Sequence, residues 1–169
     1  GVTTSLPYRF GSAADPVVIG AVNPLTGVNA VQGRDMKRGE ALALAEINAA
    51  GGIDGRPLKI LWKDTGSNPE QGMDAVRALV ETDKVPVIIG PYSSGVGLPA
   101  GQWTQSKKVI QISVACTAPE LRKIGPYFFN VIGLDEVMGI KLAEFALESS
   151  ARTYASIVVD NAFGAGIET

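Results

Sequence analysis

Residues 90–101 read GPYSSGVGLPAG, and Ser93 and Ser94 are the side chains there whose type could do chemistry. Paired hydroxyls among glycines suit attack on a carbonyl, a phosphate cradle, or a seat for another anion. A nucleophilic serine needs a base, and the chain contains no histidine, so a serine–histidine–acid triad cannot be assembled from it. The Gly-x-Ser-x-Gly elbow fails as well, because Pro91 stands where its first glycine belongs. GVGLPAG spaces its glycines one residue too widely for a dinucleotide fingerprint, and no acidic residue ends the next strand to hold a ribose. A Walker loop would need Gly-Lys-Ser/Thr, which is absent. What remains is a helix N-terminus, whose free N–H groups and positive dipole end favour an anion. A hydroxyl adds a charge-assisted hydrogen bond of about 1.5–3 kcal/mol when shielded from water. The same serines also suit the plainer task of capping the helix, and the motif alone does not separate the two.

Few other side chains offer reactive chemistry. Cys116 is the single cysteine, so no disulfide closes within the chain; in an apolar-leaning stretch it reads as a small packed residue. With no histidine and one thiol, the usual transition-metal ligands are missing, and neither metal nor cofactor is expected. Asp64 and Asp160 end apolar runs and read as carboxylates that order loops rather than as general bases. Fifteen Lys and Arg against 17 Asp and Glu give a formal charge of −2. That balance lacks the basic face of a nucleic-acid binder, so no nucleic-acid partner is expected. No window approaches the ~18 uninterrupted apolar residues of a membrane span. The opening GVTTSLPYRFGSAADP shows no signal peptide, which fits a mature secreted chain as well as a cytoplasmic one.

The elements that would position these residues alternate. PVVIGAV (16–22) reads as a buried strand, NPLTGVNAVQG (23–33) as a loop, and residues 34–52 as a helix stopped by Gly51-Gly52. RPLKILWKD (56–64) is a second strand; 68–84 is a helix with Asn68 as N-cap and Pro69 at its first position. Strands follow at 85–90, 108–114 and 127–132, with a helix from Ser94 to Ser106 and a turn over 115–125. A helix over 135–150 capped by Asp135, a strand over 154–160 and a helix opening at NAFGAG complete the chain. Continuous apolar strands alternating with helices predict an α/β fold, a three-layer αβα sandwich on a mostly parallel, doubly wound sheet. Ligands in such sheets sit beyond the carboxyl ends of the strands. A site is therefore expected among the loops after Val22, Ile89, Ile112 and Val159, all rich in small polar residues.

Four further stretches carry a resemblance: PLTG (24–27), AEINAAGGIDGRPL (45–58), DTGSNPEQ (64–71) and TAPEL (117–121). With GPYSSG and NAFGAG, they make residues 17–169 resemble the type I periplasmic binding proteins. More narrowly, the chain is similar to the branched-chain amino-acid (Leu/Ile/Val) solute-binding components of ABC transporters. The resemblance implies two α/β lobes clasping a small ligand at their hinge, in chains longer than this one. Residues 1–16 would then be an N-terminal tail, 17–133 the N-terminal portion of ligand-binding lobe 1, and 134–169 the crossover and start of lobe 2. The crossover would fall near Val131–Asp135, and apolar surface would lie uncovered where more of the first lobe packs.

By the same resemblance Ser94 would take the ligand carboxylate, with Ser93 and Tyr92 lining the pocket beside it. The backbone at Ala115, and the hydroxyl and backbone of Thr117, would hold the ligand's amino and carboxylate groups. Phe163 stands where the family usually has an aromatic residue, often tyrosine, and Gln32 where it often has Tyr or Trp over the ligand. These departures leave the ligand open among amino acids, amides, urea and small aromatic or other carboxylates. The acid that usually meets the ligand ammonium would lie beyond residue 169. Each assignment has a plainer counterpart: Thr117 as a turn residue, Phe163 as core packing, Gln32 facing solvent. The implied function is non-catalytic: a periplasmic or extracellular receptor delivering a small carboxylate-bearing ligand to a membrane ABC permease. The same fold would also serve as the ligand-sensing domain of a signalling receptor or transcriptional regulator.

Overall fold

In the computed structural model, which describes residues 15–150 and 152–168, the β-branched runs form the frame. Most of the proposed tail at 1–16 lies outside the described residues. Val17–Asn23 (β1), Leu58–Asp64 (β2), Val87–Ile89 (β3), Ile110–Ser113 (β4) and Phe128–Asn130 (β5) pair in the order β2-β1-β3-β4-β5. All four pairings are parallel. The helices are Ala30–Ala49 (α1), Pro69–Arg77 (α2), Ser94–Ser106 (α3), Glu136–Glu148 (α4) and Ala162–Glu168 (α5). This is the expected α/β architecture.

Side-chain alternation along the strands assigns the layers. On one face, Asn23 Nδ2 and Trp62 Nε1 both donate to Glu40 Oε2 of α1, at 2.9 and 2.6 Å. On the other, Val22 and Ile88 pack with Ala75, Val76 and Leu79, where the chain continues α2 as a π-helical turn over Ala78–Thr82. Ala100 of α3 and Val109 complete that cluster. Gly20, Ile88, Gln111 and Phe128 share one row across four strands. The buried Gln111 amide is satisfied there: Thr104 Oγ1 donates to its Oε1 at 2.9 Å, and its Nε2 donates to the Gly90 carbonyl at 3.2 Å. Asn68 caps α2 as expected, accepting from the N–H groups of Glu70 (2.9 Å) and Gln71 (3.1 Å).

Three expectations are corrected. Helix α1 starts at Ala30, not Arg34, so Gly33 lies inside it. A Cβ on Gly33 would stand 2.1 Å from the Pro24 carbonyl oxygen, so this glycine allows a close approach of helix to loop. Residues 154–160 form no strand. They have no ladder partner among the described residues, and Ile157 is 100% exposed; an apolar run becomes a strand only where a neighbour takes its backbone groups. Asp135 occupies the N-cap position of α4, yet its side chain makes no capping bond. Its φ of −65° and ψ of −19° are already helical, whereas a capping residue is extended. Among the described residues no helix is long and apolar enough to cross a membrane.

Candidate ligand cavity

The chain steps from β1 outward to β2, then returns past β1 to β3. That reversal opens a crevice beyond the carboxyl ends of β1 and β3, and a cavity of about 620 Å³ lies there. Its wall draws on the loops after β1, β3 and β4 and on the segment after Val159, the four expected from sequence. Ser67 after β2, Pro69 at the start of α2, Asp135 just ahead of α4 and Met138 within it add to the wall, and sequence reasoning missed them. Loop adjacency at the β1–β2 edge depends on strand order, which no local pattern records.

The GPYSSG turn brings α3 to the cavity. Gly90 has φ +96°, and a Cβ there would meet the Val22 carbonyl oxygen at 2.4 Å, so only glycine lets the turn pass this close to β1. Ser93 then caps α3, its Oγ accepting from the Gly95 N–H at 3.3 Å. Ser94 opens the helix, is 2% exposed, and does a different job. Its Oγ accepts from the N–H groups of Thr117 (3.1 Å) and Ala118 (3.3 Å). A serine hydroxyl has two lone pairs and one proton. Both lone pairs are taken, so what Ser94 has left to offer is a proton, and only an acceptor can use it. The expected division between cap and anion seat thus falls between the two serines: Ser93 caps, Ser94 is poised to donate.

Thr117 is held on both sides of its peptide. Its N–H goes to Ser94, and its carbonyl accepts from the Asp135 N–H at 2.8 Å. The expectation that the Thr117 backbone serves a ligand is corrected to this extent: its N–H is already committed to the fold. The hydroxyl makes no hydrogen bond among the described residues, and Thr117 lines the cavity. Tyr92, Ser93, Ser94, Ala115, Thr117 and Phe163 all line the cavity, so the structure brings together six of the seven sequence-chosen residues. Gln32 is the exception. With α1 starting at Ala30 it falls in the exposed first turn, and Val28 and Asn29 form the wall on that side.

Neighbouring groups hold this geometry without taking part in it. Asp64 is a loop organiser. Its Oδ1 accepts from the N–H groups of Leu25, Thr26 and Gly66 at 2.8, 3.2 and 2.8 Å, and its Oδ2 from the Thr26 hydroxyl at 2.6 Å. Burial pushes its carboxyl pKa up, but these hydrogen bonds outweigh burial and hold it below the ordinary value. Cys116 is fully buried, its thiol donating to the Pro91 carbonyl at 3.2 Å, and burial raises its pKa to about 12. A thiol that resists ionisation is a packing group. On the far wall Asn161 caps α5, its Oδ1 accepting from the N–H groups of Phe163 (2.9 Å) and Gly164 (3.3 Å).

The periplasmic binding protein family model matches residues 16–169. Leu/Ile/Val-binding protein homolog 1 of Brucella melitensis is 31% identical over 99% of this chain and 46% of its own length. The leucine-, isoleucine-, valine-, threonine-, and alanine-binding protein of Pseudomonas aeruginosa is 32% identical over 95% of this chain and 43% of its own. Among solved structures, LivJ of Streptococcus pneumoniae, a branched-chain amino acid transporter substrate binding protein in complex with isoleucine, superposes with a TM-score of 0.74. It is 30% identical, over 80% of this chain and 39% of LivJ. The chain spans less than half the length of the curated relatives it matches.

Proposed function

The chain belongs to the periplasmic binding protein family, and from that premise we propose that it supplies the first lobe, residues 17–133, and the start of the second in an extracytoplasmic solute-binding receptor. The receptor captures a small carboxylate-bearing ligand, an amino acid of the Leu/Ile/Val class, and hands it to an ABC permease. Its relatives' names point to that class. The observation that carries the reading is Ser94, whose hydroxyl has only its proton left, at the start of α3 in a 620 Å³ cavity. A carboxylate there meets the Ser94 and Thr117 hydroxyls and the positive end of α3. Tyr92, Met138, Val159 and Phe163 offer apolar wall to an aliphatic side chain. No step of bond making or breaking is assigned; closure of the lobes over the ligand is the working event.

Isothermal titration of the full-length protein with L-leucine, L-isoleucine and L-valine tests this. At least one should bind, and Ser94→Ala should weaken that binding by about 1–3 kcal/mol. Ser94→Ala also strips two buried N–H groups of their acceptor, so a fall in melting temperature is expected with it. Thr117→Val separates the effects, since it loses only the hydroxyl: affinity should fall by a similar amount while stability holds. No binding of any of the three by the wild type overturns the branched-chain reading, and unchanged affinity in both variants overturns the anion seat.

A further inference from the structure

We propose that Glu40 and Asn23 form a protonated acid–amide pair, in which Glu40 Oε1 carries a proton and donates it to Asn23 Oδ1, clamping α1 to the end of β1. Asn23 is fully buried, and Glu40 reaches it from α1 as a half-buried side chain. Asn23 Nδ2 donates to Glu40 Oε2 at 2.9 Å, yet Asn23 Oδ1 and Glu40 Oε1, both buried, have no partner among the described residues. Asn130 and Asp135 also carry buried oxygens without a partner, but no hydrogen bond joins those two side chains among the described residues. At Asn23 and Glu40 the lone acceptors belong to two groups already bonded to each other. That is an acid–amide pair short of one proton.

The hydrogen bonds distinguish the two Glu40 oxygens. Oε2 accepts twice, from Asn23 Nδ2 and from Trp62 Nε1 at 2.6 Å, whereas Oε1 accepts from nothing. A carboxylate spreads its charge over both oxygens and draws donors to both. A carboxylic acid is asymmetric: its carbonyl oxygen takes two donors, and its hydroxyl donates. No cation stands in for the proton. Lys37, one turn earlier on α1, lies over the Trp62 ring, 5.2 Å from its centroid, and forms no ion pair with Glu40 among the described residues. Arg38 pairs with Asp35 on the exposed side of α1. From the sheet, β1 presents Asn23 and β2 presents Trp62, both neutral. Asp64, beside Asn23 in the ladder, is taken up by the N–H groups of Leu25, Thr26 and Gly66. Burial raises the Glu40 pKa above the ordinary 4.5, outweighing the Trp62 and Asn23 bonds and Lys37, which lower it.

The clamp bears on the loop beside the cavity. The Asn23 carbonyl accepts from the N–H groups of Leu25 (2.9 Å) and Thr65 (3.0 Å), so the residue Glu40 holds also anchors the turn leading to Val28 and Asn29. An acid whose pKa rises on folding stabilises the fold fully below its unfolded value, and that stability is lost as pH rises through the folded one. Acidification therefore tightens α1 against β1, the opposite of its effect at Asp64.

Urea denaturation of the full-length protein and its Glu40→Gln variant, from about pH 4 to about pH 8, tests this. Glutamine reproduces the protonated acid: its Oε1 can accept both donors, and its Nε2 can donate to Asn23 Oδ1. The two proteins should differ least near the acid end, where the pair is neutral in both. Above 4.5 the wild-type unfolding constant should rise relative to that of Glu40→Gln, by up to about tenfold per pH unit, and level off at the folded pKa. A ratio that stays flat across the range, or that moves in favour of wild type, overturns the pair. If Glu40→Gln does not fold, the wild type reports through Trp62, whose indole N–H touches the titrating group. The emission it adds over Trp62→Phe should then change with a midpoint above 4.5. A midpoint at or below 4.5, or no titration, overturns the inference. Neither readout depends on what the cavity binds.

Discussion

A single carboxylate, Asp64, shapes the loop that brings Val28 and Asn29 to the cavity. It gathers three backbone N–H groups and the Thr26 hydroxyl, so the PLTG turn after β1 is tied to the end of β2. Asn in its place keeps the shape, but its amide nitrogen cannot accept. Asp64→Asn should therefore cost about 1–2 kcal/mol at pH 7, given that the site is partly solvated. The pH dependence has a definite sign. The folded-state pKa is lowered, so the stabilisation is fully present above the ordinary value of 3.8 and is lost as pH falls through the depressed one. Urea denaturation at pH 7 and near pH 3 should show the gap between wild type and Asp64→Asn narrowing on acidification. A gap independent of pH would mean that the charge of Asp64 contributes nothing.

At the scale of elements, the starts of α2 and α3 were legible in short-range chemistry, whereas those of α1 and α4 were not. The Asn68-Pro69 pair marks the start of α2, and the cap is worth testing on its own: Asn68→Ala should lose about 1 kcal/mol in a denaturant titration with an unchanged m-value. No loss would mean that Pro69 alone fixes the start. Ser94 was equally readable as the first residue of α3, because glycine punctuation and paired serines are local signals. What could not be read was which serine does what, since the amides of Thr117 and Ala118 arrive from 23 and 24 residues away. Asp135 shows the same limit in reverse. A polar residue ahead of a helix looks like a cap, and only burial and the absence of a partner reveal it as something else. Residues 154–160 look like a strand for their β-branched content, but propensity supplies no neighbour. Gln32, placed by family resemblance, stands in the exposed first turn of α1, which begins earlier than the Pro/Gly-rich sequence suggests.

For the whole molecule, the distribution of apolar surface is lopsided. The core between the sheet and α2–α3 is closed, whereas α4 contains no buried residue. Lys141 and Glu144 pair at 2.7 Å on a solvated face. Yet Leu142 is 54% and Phe145 72% exposed on the same helix, and Phe129 at the β5 edge is 51% exposed. A helix that is apolar on most sides is an interior helix, and patches of this kind mark contact with more protein. The 169-residue chain on its own should therefore self-associate. Sedimentation velocity should show the weight-average mass rising with concentration, together with binding of an apolar dye. Leu142→Lys with Phe145→Lys should lower both, since these residues lie three apart on one face of α4 and neither supports the core. Lysine there removes apolar area and adds like-charge repulsion between copies. A chain that stays monomeric and dye-free without these changes would show that α4 is already covered in solution, and the lopsided surface would need a different cause.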